Sequence, residues 1–183
     1  MIGRIRFIQA ALVLLLATAA HGPAMSASKG NLDSQARSAL QSLYAKAPAA
    51  KALRDKAKGI LVFPSITKAG FVVGGQTGDG VLYEGGTRTG YYNTTAGTVG
   101  LQAGAQKYGY ALFFMTDDDL KYLKSSKGWS LGTGPNVVIA DEGTARDASS
   151  LTVKSGVYAF IFGQKGLMAG VGLVGQKISK TKP

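Results

Sequence analysis

Cysteine is absent from this chain of 183 residues, histidine and tryptophan occur once each, and the only glutamates are Glu84 and Glu142. The lack of cysteine excludes disulfides, thiolate nucleophiles, thiolate metal ligands and a lipoprotein acylated on cysteine. The lone histidine, His21, falls in an N-terminal stretch laid out like a secretory signal peptide: Arg4 and Arg6, an apolar run from Phe7 to Ala17, then small residues. That run is well short of the roughly 20 residues needed to span a bilayer. Residues 1–27 are therefore expected to be removed on export, leaving residues 28–183 as one domain in the periplasm or outside the cell. Without histidine or cysteine, Ser-His and Cys-His nucleophiles, His or Cys zinc sites and His-ligated haem are excluded. No enzyme, metal or cofactor is expected.

What is present in excess is positive charge. Residues 1–27 hold two of the cations, Arg4 and Arg6, so the formal charge of +11 falls to +9 without them. The charge is uneven. Between Lys29 and Lys68 stand eight cations against only Asp33 and Asp55, and after Asp147 come Lys154, Lys165, Lys177, Lys180 and Lys182 with no acid. Such asymmetry points to an anionic partner. For an exported chain, lipid headgroups and envelope polyanions rank ahead of nucleic acid.

Hydrophobic periodicity divides the mature chain into a helical region, 28–58, and a β-domain, 59–183. Leu32, Ala36, Ala39, Leu40 and Leu43 share one face of a helix over about 31–47, with Asn31 as its N-cap and Pro48 as its stop. A second helix over 48–58 places Lys51, Arg54 and Lys58 on one stripe opposite Ala50, Leu53 and Ala57. From Gly59 onward 23 of the 26 glycines separate short apolar runs. Strands are expected at 60–63, 71–75, 81–84, 89–93, 98–105, 110–115, 137–140, 157–162 and 167–174. Turns are expected at Pro64, Thr77-Gly78-Asp79-Gly80, Gly85-Gly86, Asp141-Glu142-Gly143 and Gly163-Gln164-Lys165-Gly166. A short inserted helix starts at Thr116, holds Asp117, Asp118 and Asp119 in its first turn and stops at Gly128. The fold class is thus α+β, mainly β: amphipathic N-terminal helices on a Gly-rich antiparallel sandwich or barrel.

Several patterns invite a chemical reading and do not sustain it. Ser65-Ile66-Thr67-Lys68 matches S-x-x-K, but that chemistry needs the Ser at the start of a buried helix, and Pro64 and Gly70 bracket a turn here. Three consecutive helical carboxylates diverge by about 100° each, so Asp117–Asp119 cap a helix rather than converge on a cation. Gly74, Gly75, Gly78 and Gly80 lack the following helix that a phosphate loop requires.

The phrase from Lys58 to Gly75, KGILVFPSITKAGFVVGG, remains. An apolar strand ending in Phe-Pro, a lysine four residues on, then Gly-Phe-x-x-Gly-Gly resembles the core signature of the SYLF domain family. Tyr91-Tyr92-Asn93, Val99 to Gln106, Leu112 to Thr116 and Gly128-Trp129 follow in that family's order. The resemblance implies a non-enzymatic module that binds anionic phospholipids, phosphoinositides in eukaryotic members, through its N-terminal amphipathic region. On that basis the lipid-binding candidates are Arg37, Lys46, Lys51, Arg54 and Lys58, together with the signature lysine, Lys68. The actin-related roles of fungal members are not expected of an exported chain. The other reading is an envelope interaction module whose basic face meets proteins or polyanionic glycans.

Overall fold

The computed structural model describes residues 29–70, 73–99, 104–140, 156–166 and 173–181; the expected signal peptide, the 141–143 turn and most of the 167–174 strand lie outside them. The apolar spacing of the N-terminal region yields α1, Lys29–Lys46, which buries Ala36, Leu40 and Leu43. Asn31 is not its cap. It lies in the first turns, where its Oδ1 accepts from Gln35 Nε2 at 2.9 Å. Pro48 opens α2, Pro48–Arg54, at the position where a missing N–H costs nothing. Ala49, Ala50 and Leu53 are buried. The second helix is shorter than its periodicity suggests: the backbone N–H groups of Lys56 and Ala57 both donate to Leu53 O, and Lys58 N–H already donates to Phe114 O at 2.8 Å. Joining the sheet requires extended chain there, so Lys58 is off the helix.

Among the described residues eight strands form one curled sheet: β1 Gly59–Gly70, β2 Val73–Glu84, β3 Thr87–Val99, β4 Gly104–Phe114, β5 Trp129–Ser130, β6 Val137–Ala140, β7 Val157–Gly166 and β8 Lys177–Lys180. Their order is β5-β8-β3-β2-β1-β4-β7-β6. The mainly β, α+β class expected from the sequence is the one observed, with one departure in pairing: β6 runs parallel to β7 while the other pairs are antiparallel. Between β4 and β5, α3 spans Asp117–Ser125, and Thr116 Oγ1 accepts from the Asp119 N–H at 3.2 Å as its N-cap.

The strands are longer than their apolar runs. Pro64 does not end β1, because it sits where the register with both neighbours shifts, between Val62 and Thr67 on one side and Phe63 and Ile66 on the other. A bulge tolerates a residue without an N–H. Thr77-Gly78-Asp79-Gly80 is not a turn but the middle of β2. A Cβ on Gly80 would lie 2.6 Å from Phe63 Cδ1 and 2.9 Å from Val62 O, so glycine answers the close approach of the bulged β1. Gly163-Gln164-Lys165-Gly166 likewise continues β7 across a register shift. Gly85-Gly86 is the two-residue hairpin expected, with φ of 55° and 79° and Glu84 paired with Thr87.

Strand alternation makes two cores on opposite faces. On the helix face, Ile60, Val62, Val81, Tyr83, Ala111, Phe113, Phe160 and Phe162 pack beneath α1 and α2. The far face buries Leu61, Phe63, Tyr108, Tyr110 and Phe114 with Leu120 and Leu123 of α3 and Trp129. A polar chain threads this second core: Tyr108 OH donates to Gln76 Oε1 at 2.8 Å and accepts from Gln176 Nε2 at 3.1 Å, while Thr94 Oγ1 donates to Gln176 Oε1 and accepts from Tyr110 OH, both at 3.1 Å.

Candidate functional site

A stripe on α1 starts the site. Arg37, Leu40, Gln41 and Tyr44 follow at helical spacing, and all four line a cleft of about 560 Å³. Its other walls are Arg54 and Asp55 at the end of α2, Ala57, Gly59 and Ile60 entering β1, and Tyr83, Gly85 and Gly86 at the β2–β3 turn. The lower wall exists because Ile60 is paired with Tyr83 across the β1–β2 ladder, which brings residues distant in sequence beneath one helix.

Two guanidiniums stand in this cleft, each over a tyrosine ring. Arg37 Cζ lies 5.1 Å from the Tyr83 ring centroid, and Arg54 Cζ lies 5.7 Å from that of Tyr44. Each also has a carboxylate: Arg37 Nε is 3.2 Å from Asp33 Oδ2, and Arg54 Nε is 2.8 Å from Asp55 Oδ1. Tyr83 OH donates to Asp33 Oδ1 at 2.6 Å and, with the Arg37 guanidinium, holds that carboxyl below its usual range. The hydrogen bond from Arg54 lowers Asp55 in the same way. Burial pushes the Tyr44 hydroxyl up to about 12, against the pull of Arg54, and burial plus the Asp33 carboxylate raises Tyr83 further. The phenols therefore stay neutral at physiological pH. The cleft has cations at its rim, apolar walls and no nucleophile in an activated state; it is suited to holding an anion attached to an apolar body.

Of the six candidates, the structure brings together Arg37 and Arg54. Lys46 and Lys51 are exposed on the last turn of α1 and on α2, flanking the cleft-forming helices. Lys58 turns elsewhere, with its Nζ 3.7 Å from Asp117 Oδ2 at the start of α3. Lys68 is on the other side of the sheet: it pairs in register with Gln76 and Gln106, both buried on the far face. It shares that far face with Phe63 and does not join the helical cations. Sequence reasoning missed Tyr44, Tyr83 and Ile60. The spacing from Arg37 to Tyr44 carried a signal for the first; the other two depended on register.

A protein-family model described as "Ysc84: Las17-binding protein actin regulator" matches residues 95–183. No curated protein matches the chain.

Proposed function

The C-terminal half of this chain belongs to the SYLF domain family, and from that premise we propose that the protein binds anionic phospholipid at a membrane surface without catalysis. The family is one of binding modules, known for lipid and actin binding, rather than of enzymes. The cleft under α1 carries the reading. At roughly 1 kcal/mol per basic residue near an anionic bilayer, a handful of surface cations reaches only about millimolar affinity. Useful retention needs headgroup contacts or apolar burial, and the cleft offers both: Arg37 and Arg54 for phosphate oxygens, Leu40, Ile60 and the Tyr44 and Tyr83 rings for the glycerol and upper acyl carbons.

The carboxylates beside the two arginines set a threshold rather than a block. Asp33 and Asp55 hold the guanidiniums in place in the free protein, and exposed pairs of this kind are weak in water. A phosphate with bidentate geometry displaces them. Weak anions at low density do not, so binding should rise steeply with anionic lipid content. Among the described residues no helix is long and apolar enough to cross a membrane. In this reading the chain is exported and peripheral, with Lys46 and Lys51 adding long-range attraction.

Vesicle sedimentation tests the proposal. The full mature chain should pellet with phosphatidylcholine vesicles doped with anionic phospholipid, and less so as salt rises. Arg37→Glu with Arg54→Glu should weaken that binding by roughly tenfold or more. Equal retention on neutral vesicles, or an unaffected double variant with an unchanged melting curve, would rule the reading out.

A further inference from the structure

A row of side chains crosses the helix face beyond the edge of α1. The registers link Lys165 of β7 to Lys107 of β4, Lys107 to Thr67 of β1, Thr67 to Thr77 of β2, Thr77 to Thr95 of β3, and Thr95 to Lys177 of β8. Residues directly opposite in a ladder share a face. Counting back along β2 from Tyr83 and Val81, which pack under the helices, places Thr77 on the helix side. All six residues are exposed. Five strand spacings give the row a length of roughly 24 Å.

Its surroundings are flat. One step further from the helices stand Ala105, Ala69, Gly75 and Gly97, all exposed and too small to obstruct a ligand. One step towards them, Asp79 is the acid on this floor, and its carboxylate accepts from Asn93 Nδ2 at 2.9 Å. Among the described residues Lys107, Lys165 and Lys177 have no ion-pair partner, unlike Arg37, Arg54 and Lys58. Lys107 and Lys165 are directly opposed, an arrangement that destabilises a sheet unless an anion lies over it.

We infer that this row is a second binding site, distinct from the cleft, for a linear polyanion that carries phosphate or sulfate groups along an extended backbone. The lysines at the two ends take the anionic groups, and the threonine hydroxyls between them donate to the intervening oxygens. The shape favours a chain over a bilayer. Asp33 and Arg37 at the start of α1 contact Tyr83 of β2, and Tyr44 near its end packs edge-on to Phe113 of β4, so the helix runs across the strands alongside the row. A planar bilayer resting on that helix is held about 10 Å above the sheet floor, whereas a single chain fits along it. Among the described residues the open floor carries no aromatic ring, so recognition here is ionic and hydrogen-bonding rather than stacking.

The test uses the mature chain with fluorescently labelled linear polyphosphate, dextran sulfate and uncharged dextran, read by anisotropy. Polyphosphate or dextran sulfate should bind, with the preferred one reporting the anionic group, and uncharged dextran should not. Lys107→Glu, Lys165→Glu and Lys177→Glu together should weaken binding roughly tenfold or more, while Thr67→Val, Thr77→Val and Thr95→Val, which keep strand propensity, should weaken it a few-fold. Arg37→Glu with Arg54→Glu should leave polyanion binding intact even where it abolishes vesicle binding. Polyanion binding no better than dextran, or indifferent to the lysine reversals, overturns the proposal. So does loss of vesicle but not polyanion binding in the lysine variant, which would make the row a membrane contact.

Discussion

On the helix face, β1 to β4 bury Val62, Val81, Ala111 and Phe113 under α1 at one end and expose Thr67, Thr77, Thr95 and Lys107 at the other. The far face of those strands is different: Gln76, Gln106, Tyr108 and Tyr110 remain buried opposite the exposed row. The open half is therefore not a fraying end. It is ordered backbone, held from behind by a packed core, with one face left to solvent. β-Branched threonine preserves strand propensity where no apolar cover exists. The comparison shows two ways of presenting positive charge: arginines stacked on rings and restrained by carboxylates in a cleft, and lysines on a flat floor with no ion-pair partner among the described residues.

The largest break in the comparison should come from the covered half. Phe113 is fully buried, edge-on to Tyr44 of α1 and to Phe160 of β7. Phe113→Ala removes the ring that ties the helix to two strands and should cost about 3–5 kcal/mol in urea unfolding. Thr77→Ala, on the open half of the same face, should stay within about 0.5 kcal/mol. Similar losses for the two would mean that the exposed row is packed against something in solution.

Glycine sharpens the contrast between faces. Gly80 is buried, and its missing Cβ would press on Phe63 and on the Val62 carbonyl. Gly97 is exposed at the open end of β3, with nothing within 4 Å of such an atom and no positive φ. Gly80→Ala should destabilise by about 1–3 kcal/mol. Gly97→Ala should be neutral or gain up to about 1 kcal/mol by restricting the unfolded chain. Thermal melts of the two single variants suffice, and a shared sign would sink the distinction.

These glycines also explain what could be read in advance. Residues whose local chemistry is unambiguous gave themselves away: the Leu and Ala spacing of α1, the Thr116 cap and Asp119 of α3, the Gly85-Gly86 hairpin. Gly78 and Gly80 did not, because a glycine needed for a turn and one needed for close approach of a neighbouring strand look alike until the neighbour is known. Pro64 misled for a similar reason, since a bulge is a property of the pair of strands. β5 and β8, of two and four residues, lack the length to show a period. At the cleft, the basic residues of the helices were visible, but their union with Tyr83 was a matter of register, and the face that Lys68 takes is decided by the one-residue bulge between Phe63 and Ile66. The lysine row was invisible in sequence: its members lie in six strands.

The smallest effect tests how the cleft's arginines are restrained. Tyr83 OH donates to Asp33 Oδ1 at 2.6 Å, and this bond is the chief reason the Asp33 carboxyl titrates below its ordinary 3.8. A carboxyl with a lowered folded value stabilises the fold fully above its unfolded value, and that contribution is lost as pH falls through the folded one. Tyr83→Phe keeps the ring beneath Arg37 and deletes the hydroxyl, so it should cost about 1 kcal/mol near neutrality. The penalty should shrink below about pH 4 as Asp33 protonates in the unfolded and then the folded chain. Unfolding free energies for the wild type and the variant would then converge in acid. A penalty that persists unchanged to pH 2 would show that the hydroxyl acts instead through the Asp33 carbonyl, 3.3 Å away, and that the carboxylate is already free to release Arg37.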